Sequence, residues 1–201
     1  MQSIENTIKS RIFSSGRGYL FTPTSFLDLG GRDAVDKVLS RLTADGTIRR
    51  LARGLYDYPK KHPVLGMLHP APEDIAKALA ERDAVNLQPA GAYAANLLGL
   101  SEQVPAKIVF FTNGPSRMVK IGRTEIILRQ TTSRNVATAG RLSGMLIQAF
   151  RYLGKTQVSS ERIAHLRHTI PASERTKLLR DLRYAPAWMH SAFRELAREG
   201  D

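Results

Sequence analysis

Cysteine is absent from the 201 residues of this sequence. Disulfides, thiolate-bound zinc and a cysteine nucleophile are therefore excluded, which fits a reducing compartment. The first residues contain no apolar signal-peptide core, and no stretch approaches the roughly 18 apolar residues that a membrane span needs. We therefore expect a cytoplasmic protein with no membrane partner.

The motifs of common catalytic sites are also missing. The sequence contains no GxxxxGK[ST] loop, no GxSxG elbow and no GxGxxG segment between a strand and a helix. Of the five histidines, only His165 and His168 share a predicted helix face, and no nearby acid completes a set of metal ligands. We expect no enzyme activity, no metal and no cofactor.

Positive charge is in clear excess. Thirty Lys and Arg face 18 Asp and Glu, which gives a net charge of +12. Such a charge favours a polyanionic partner, either nucleic acid or an acidic protein. Solvated basic helices are common, so the charge alone does not choose between these partners.

Residues 19–58 carry the most specific pattern. Thr22 and Pro23 begin a short helix that Gly30 and Gly31 end. A second helix is predicted over about residues 32–44. Its apolar stripe has a period near 3.6 and consists of Ala34, Val35, Val38, Leu39 and Leu42.

An arginine-rich hairpin follows this helix. Strands are predicted over residues 47–50 and 55–58, with a turn over 51–54 and no acid from Arg49 to Arg53. Three helices, of which the first carries Ile4, Ile8 and Ile12, followed by such a hairpin are typical of a winged helix-turn-helix. The pattern therefore predicts double-stranded DNA as a partner.

The predicted DNA contacts fall into two groups. Major-groove contacts are expected from the polar face of the second helix, at Arg32, Asp36, Lys37, Ser40 and Arg41. Phosphate or minor-groove contacts are expected from the hairpin, at Arg49, Arg50 and Arg53. For the helix face alone, a merely solvated surface is the alternative.

A proline-rich connector over residues 59–72 predicts a boundary between a winged-helix domain at 1–60 and a C-terminal domain at 61–201. The second domain divides into an α/β part at about 73–130 and a helical part at about 138–201. Strands at 108–112, 118–121 and 124–129 are predicted to form an antiparallel meander. The expected fold class is α+β, with the winged helix followed by a small antiparallel sheet packed with helices.

Basic residues also follow the predicted meander. Strand alternation places Lys120 and Arg129 across from each other on a solvent face, while Val119, Ile126 and Leu128 turn inward. The candidate second basic surface comprises Arg117, Lys120, Arg123, Arg129, Arg134 and Arg141. Solubility alone is the alternative role for these side chains.

The sequence resembles a known family along nearly its whole length. The segments that carry the resemblance are FLDLG, AVDKVLSRL, IRRLARGLYDYP, LQPAGAYAANLLGL, VPAKIVFFTNGPSR, GRLSGMLIQAFRYLGK and LRYAPAWM. They are similar to AbiEi-type antitoxins of bacterial type IV toxin–antitoxin systems. The resemblance implies an N-terminal winged helix that binds inverted repeats in its own promoter and represses transcription.

The same resemblance implies a C-terminal domain that counteracts a nucleotidyltransferase toxin without forming a stable complex. No residue motif for antitoxicity comes with it, so the second basic surface is assigned to that role as a hypothesis. Two other interpretations stay open: a plain transcriptional regulator whose C-terminal domain binds a ligand or dimerises, and an RNA-binding protein. A nucleotidyltransferase reading frame beside the gene would favour the antitoxin. Whether the chain dimerises or binds DNA cooperatively is also left open.

Overall fold

The computed structural model describes residues 3–198 and has the predicted α+β fold class. The chain forms two compact units. One comprises the described residues up to Ala84 together with Val119–Thr124, and the other comprises Val85–Met118 and the described residues from Glu125 onward.

Between residues 3 and 84, the first unit contains three α-helices, a 3₁₀ turn and two small sheets. In chain order these elements are α1 (Ile4–Ser14), β1 (Leu20–Phe21), the 3₁₀ turn (Pro23–Phe26), α2 (Arg32–Ala44), β2 (Arg49–Ala52), β3 (Leu55–Asp57), β4 (Lys61–His62), β5 (Gly66–Met67) and α3 (Pro72–Asp83). The sheet order is β1-β3-β2, and both pairings are antiparallel.

The predicted second helix and hairpin are confirmed, with differences in detail. The short helix before α2 is a 3₁₀ turn, in which Ser25 Oγ accepts a hydrogen bond from the Thr22 N–H at 3.3 Å. The hairpin turn is only Arg53–Gly54, and Gly54 has a φ of +68°, which glycine adopts without a Cβ penalty.

Apolar residues of α1, α2 and the sheet form the core of the first unit. Ile8 and Ile12 of α1 pack with the α2 stripe, and Phe21 stacks on Tyr56 with ring centroids 6.0 Å apart. Ala34 is exposed, so its predicted place on the apolar stripe is wrong. The buried stripe of α2 is narrower than predicted, since it consists of Val35, Val38, Leu39 and Leu42.

The boundary between the units does not coincide with the predicted one at residue 60. The proline-rich connector folds as the β4–β5 hairpin, in which Lys61 pairs with Met67. Helix α3 packs against β1, and its Arg82 donates a hydrogen bond to the Arg53 carbonyl at 3.1 Å. These contacts place the segment up to Ala84 in the first unit.

The second unit contains a sheet whose connectivity differs from the predicted meander. Its elements are β6 (Leu87–Pro89), α4 (Gly91–Leu97), β7 (Lys107–Thr112), β8 (Arg117–Ile121) and β9 (Thr124–Gln130), although Val119–Ile121 of β8 groups with the first unit. The strand order is β6-β7-β9-β8. β7 pairs with β6 antiparallel and with β9 parallel, so the sheet is mixed and the antiparallel meander is wrong.

Burial accounts for the parallel pairing. Ile108 lies opposite Ile126, and Phe110 lies opposite Leu128, in the register of β7 and β9. All four side chains are buried, so this register places two buried pairs on one face of the sheet. Because β8 follows β7 directly in the chain, the sequence pattern does not indicate that β9 lies between them in the sheet.

Helices make up the rest of the second unit. They are α5 (Ser133–Val136), α6 (Leu142–Leu153), α7 (Ser160–Thr169), α8 (Ala172–Arg175) and α9 (His190–Ala197), with 3₁₀ segments at Lys155–Gln157, Thr176–Tyr184 and Ala187–Met189. The core joins Ala94 and Ala95 of α4 to Leu146 and Phe150 of α6. Within residues 3–198, no helix has both the length and the apolar character needed to span a bilayer.

Candidate nucleic-acid interface

The solvent face of α2 carries the predicted helix contacts, but not all of them are equally available. Lys37 and Ser40 are exposed, and Lys37 forms no ion pair with any other residue between 3 and 198. Arg32 donates from Nε to Asp36 Oδ2 at 2.8 Å, an ion pair along one turn of the helix. Arg32 and Asp36 therefore satisfy each other in the free protein.

Arg41 is exposed but has a partner on α1. Its Nη2 lies 3.2 Å from Glu5 Oε2, and Glu5 also holds Lys9 at 2.9 Å. The hydrogen bond from Lys9 lowers the pKa of Glu5, and the positive charge of Arg41 adds to this effect. Because the side chain of Arg41 is 64% exposed, its ion pair is a weak one that a phosphate can replace.

Arg50 and Arg53 are the free cations of the β2–β3 hairpin. Both are exposed, and neither forms an ion pair within the part of the chain that the structure describes. Arg53 occupies the two-residue turn, where its carbonyl accepts the hydrogen bond from Arg82. The hydrogen bond from Arg82 therefore holds the backbone of the turn, while the Arg53 side chain is exposed to solvent.

Arg49 has a structural role that was not predicted, and its predicted contact with phosphate or the minor groove stays a prediction. Its Nε and Nη2 donate to the two carboxylate oxygens of Asp57 at 3.0 and 2.6 Å. Asp57 is 1% exposed, and Arg49 Nη2 also donates to the Leu68 carbonyl at 2.9 Å. Arg49 therefore neutralises a buried acid and holds β2 to β3 and to the segment after β5.

Two further interactions fix α2 in its unit. Arg11 of α1 donates to both carboxylate oxygens of Asp28 at 2.8 and 2.7 Å, and these hydrogen bonds lower the pKa of Asp28. Asp45 ends α2 by accepting a hydrogen bond from the Thr47 N–H at 2.9 Å, and its pKa is lowered by the bonds with Thr47. Both ends of the segment that contains α2 are therefore held by ionised carboxylates.

The second predicted basic surface divides between the two units. Lys120 and Arg123 belong to the first unit. Gly122, between them in the chain, lies close to the ring of His69 in that unit, since a Cβ added to this glycine would be 3.5 Å from His69 Nε2. Arg117, Arg129, Arg134 and Arg141 belong to the second unit. The six residues therefore do not all lie in the second unit, because Val119–Thr124 groups with the first.

The second-unit residues also differ in availability. Arg129 is exposed, whereas Arg141 Nη1 donates to buried Asp181 at 2.8 Å. Arg134 Nη2 reaches the Arg183 carbonyl at 3.5 Å. Burial lowers the pKa of Arg151, and the positive charge of Arg134 lowers it further, so two like charges lie near each other here.

A polar cleft in the second unit was not predicted. It has a volume of about 510 Å³ and is lined by Gly140, Arg141, Leu142, Ser143, Glu174, Lys177, Leu178, Arg180 and Asp181. Ser143 donates to Asp181 Oδ2 at 2.5 Å, so the carboxylate lies at the first turn of α6. The pairing joins residues 38 positions apart, which no local periodicity reveals.

Residues 4–178 match the sequence profile of a group described as "Family of unknown function (DUF6088)". The chain belongs to this family. Among curated proteins, no sequence matches this DUF6088 chain. Among solved structures, it is similar to the crystal structure of the RV2827C protein from Mycobacterium tuberculosis, with 15% sequence identity and a TM-score of 0.46 over all of this chain and 83% of that one.

Proposed function

We propose that this DUF6088 protein is a DNA-binding repressor whose first unit is a winged helix-turn-helix. The element order α1, β1, 3₁₀ turn, α2, β2, β3 supports the proposal, as does the sheet order β1-β3-β2. In such a module the last helix before the hairpin enters the major groove and the hairpin contacts the adjoining backbone. Here these elements are α2 and the β2–β3 hairpin.

The observation that carries the proposal is the set of cations left unpaired on these two elements. Lys37 on α2 and Arg50 and Arg53 on the hairpin are exposed, and none has an acidic partner between residues 3 and 198. An exposed cation without an acid is free to contact a base edge, as expected for Lys37, or to neutralise a phosphate and release its counterions, as expected for Arg50 and Arg53. Ser40 and Arg41 lie beside Lys37 on the same helix and supply hydrogen bonds to base edges or phosphates.

Arg32 and Asp36 have a secondary place in this proposal. Their ion pair must open before either side chain can contact a base. Surface pairs of this kind contribute little free energy, so DNA can open the pair at small cost. We therefore assign the principal contacts to Lys37, Ser40, Arg41, Arg50 and Arg53.

For the rest of the chain we propose the antitoxin role that the resemblance to AbiEi-type proteins implies. In this role the protein represses its own promoter through inverted repeats and counteracts a nucleotidyltransferase toxin. Arg129 and Arg134, which are exposed in the second unit, are the first candidates for the antitoxic surface. Arg141 is a weaker candidate because Asp181 already neutralises it.

Binding assays with the full-length protein test the DNA proposal. The probes are a duplex from the region upstream of its own gene, a scrambled duplex of equal length and an RNA duplex of the same sequence. We expect tighter binding to the upstream duplex than to the other two. Equal affinity for the RNA would favour the RNA-binding alternative, and equal affinity for the scrambled duplex would contradict a specific repressor.

Co-expression tests the antitoxin proposal. The protein is produced together with any nucleotidyltransferase encoded beside its gene, and growth is compared with that of cells making the enzyme alone. We expect the full chain to restore growth, and the Arg129→Glu and Arg134→Glu double variant to restore less. Rescue at the wild-type level by the folded double variant would exclude this surface.

A further inference from the structure

We propose that the β4–β5 hairpin is a second DNA-contacting element, which inserts its apolar tip into the minor groove and bends the duplex. This inference rests on the DNA-binding part of the proposed function. It concerns residues 60–68, to which neither the predicted winged helix nor the second basic surface assigns a role.

The tip of this hairpin presents large apolar side chains to solvent. Val64 is 85% exposed and Leu65 is 71% exposed, and Met67 beside them is 43% exposed. Turns between strands are normally polar, since apolar groups gain nothing from contact with water. A continuous apolar tip on a short hairpin therefore indicates a surface that another molecule covers.

The tip is also held in one conformation. His62 Nδ1 accepts hydrogen bonds from the N–H groups of both Val64 and Leu65, each at 3.2 Å. At the base of the hairpin, the Leu68 N–H donates to the Lys60 carbonyl at 2.9 Å. A wedge that is ordered before binding loses less conformational entropy when it enters a groove.

Arg49 joins the base of the hairpin to the arginine-rich sheet. Its Nη2 donates to the Leu68 carbonyl at 2.9 Å while the same guanidinium is fixed by Asp57. The neighbouring residue on β2 is Arg50, one of the proposed phosphate contacts. Through Arg49, the base of this hairpin is therefore connected to the strand that carries a proposed DNA contact, and both belong to the same unit.

Charge selects DNA as the occupant. Residues 58–72 contain Lys60 and Lys61 and no acidic residue, and both lysines are exposed. Architectural proteins combine cationic side chains with apolar ones that unstack base steps and kink DNA by about 20–90°. Both lysines precede the tip in the chain, and they would hold phosphates at one edge of the groove while Val64 and Leu65 enter it.

The test compares the wild-type protein with the Val64→Ser and Leu65→Ser double variant. The probe is a duplex selected by the wild-type protein from random-sequence DNA, and its bend is measured by circularly permuted gel shifts. We expect a bend with the wild type, a much smaller bend with the double variant and a loss of affinity of roughly tenfold. The His62→Ala variant, which frees the tip without changing its apolar surface, should reduce the bend to an intermediate value.

The outcomes separate this inference from the proposed function. If random-sequence selection yields no duplex, the proposed DNA-binding function fails. If a duplex is selected but the double variant bends and binds it as the wild type does, the hairpin inference alone fails. Binding of phosphatidylglycerol vesicles that requires Val64 and Leu65, without any effect on the DNA bend, would assign the tip to a membrane surface and also overturn the inference.

Discussion

The guanidinium of Arg49 and the carboxylate of Asp57 form a two-point ion pair, with donor–acceptor distances of 3.0 and 2.6 Å. Asp57 is 1% exposed, while the side chain of Arg49 retains 24% of its exposure. A buried charge needs such a partner, because its desolvation costs more free energy than most single contacts return. The most arginine-rich segment of the sequence therefore begins with a structural residue.

Replacement of Arg49 by alanine should destabilise the protein. The change leaves the Asp57 carboxylate buried without a partner and removes the hydrogen bond to Leu68, so we expect a loss of about 3 kcal/mol in the free energy of unfolding. Urea unfolding followed by far-ultraviolet circular dichroism measures this loss. Fluorescence of Trp188, the single tryptophan, reports separately on the second unit, against whose core it packs.

Arg50→Ala is the matched control for this prediction. Arg50 is the next residue on the same strand, but it is exposed and unpaired within residues 3–198. Its replacement should change the free energy of unfolding by no more than about 0.5 kcal/mol. Equal losses for the two variants would contradict the structural role of Arg49.

The partner of Arg49 illustrates where prediction from sequence ends. A regular hairpin around Arg53–Gly54 would place Tyr58 opposite Arg49. The register instead shifts between Arg50 and Ala52, which brings Asp57 opposite Arg49. A one-residue bulge reverses which side chains share a face, and no residue pattern in the segment announces it.

Helix α2 was predictable for the opposite reason. It depends on a local period of 3.6, and the predicted span of about 32–44 agrees with the observed Arg32–Ala44. The parallel pairing of β7 with β9 depends on contacts between residues 107–112 and 125–130, whereas β8, which lies between them in the chain, is at the edge of the sheet. Local patterns identify the strands, but they contain little information about their order.

Lys37→Ala and Arg53→Ala should affect DNA binding in different ways. Loss of a base-reading contact by Lys37 should cost about 1–3 kcal/mol and relax specificity. Loss of a phosphate contact by Arg53 should weaken binding to all sequences and reduce the slope of affinity against salt by about one. Fluorescence anisotropy over a salt series, with selected and scrambled duplexes, measures both effects.

Lys77→Ala controls for loss of charge. Lys77 is exposed on α3 in the same unit but outside the proposed interface. It should leave the affinity and the salt slope close to those of the wild type. If Lys77→Ala and Arg53→Ala weaken binding equally, the hairpin has no special role and general charge attraction accounts for the binding.

Acid should destabilise the first unit. The folded protein lowers the pKa of Asp28 and Asp45 from an ordinary 3.8, and that of Glu5 from an ordinary 4.5. A carboxyl group whose pKa is lowered by folding stabilises the protein at pH values above its ordinary pKa. This stabilisation is lost as the pH falls through the pKa of the folded state. The midpoint temperature should therefore fall between about pH 5 and pH 3.

Arg11→Met isolates one contribution to this acid sensitivity. The hydrogen bonds from Arg11 are the main cause of the lowered pKa of Asp28, so without them this carboxyl should titrate nearer its ordinary value. The variant should be less stable than the wild type near neutral pH, and its midpoint temperature should fall less steeply in acid.

Asp28→Asn should flatten the profile in the same way. A profile for Arg11→Met parallel to that of the wild type would show that the Arg11–Asp28 pair does not contribute to the pH dependence.

The position of α3 leads to a prediction about fragments. A fragment of residues 1–60 lacks the Leu68 carbonyl that Arg49 contacts, the Arg82 side chain that holds Arg53, and the helix that packs on β1. A fragment of residues 1–84 retains all three, although it lacks Val119–Thr124 of the same unit.

We therefore expect the longer fragment to melt cooperatively and at a higher temperature, as measured by circular dichroism, and to bind DNA more tightly. The Arg82→Ala variant of the longer fragment should bind DNA more weakly but melt at nearly the same temperature. The substitution frees the turn that carries Arg53 without disturbing the core. If the fragment of residues 1–60 melts at the same temperature as the longer one, α3 is an appendage and the domain boundary lies in the proline-rich connector after all.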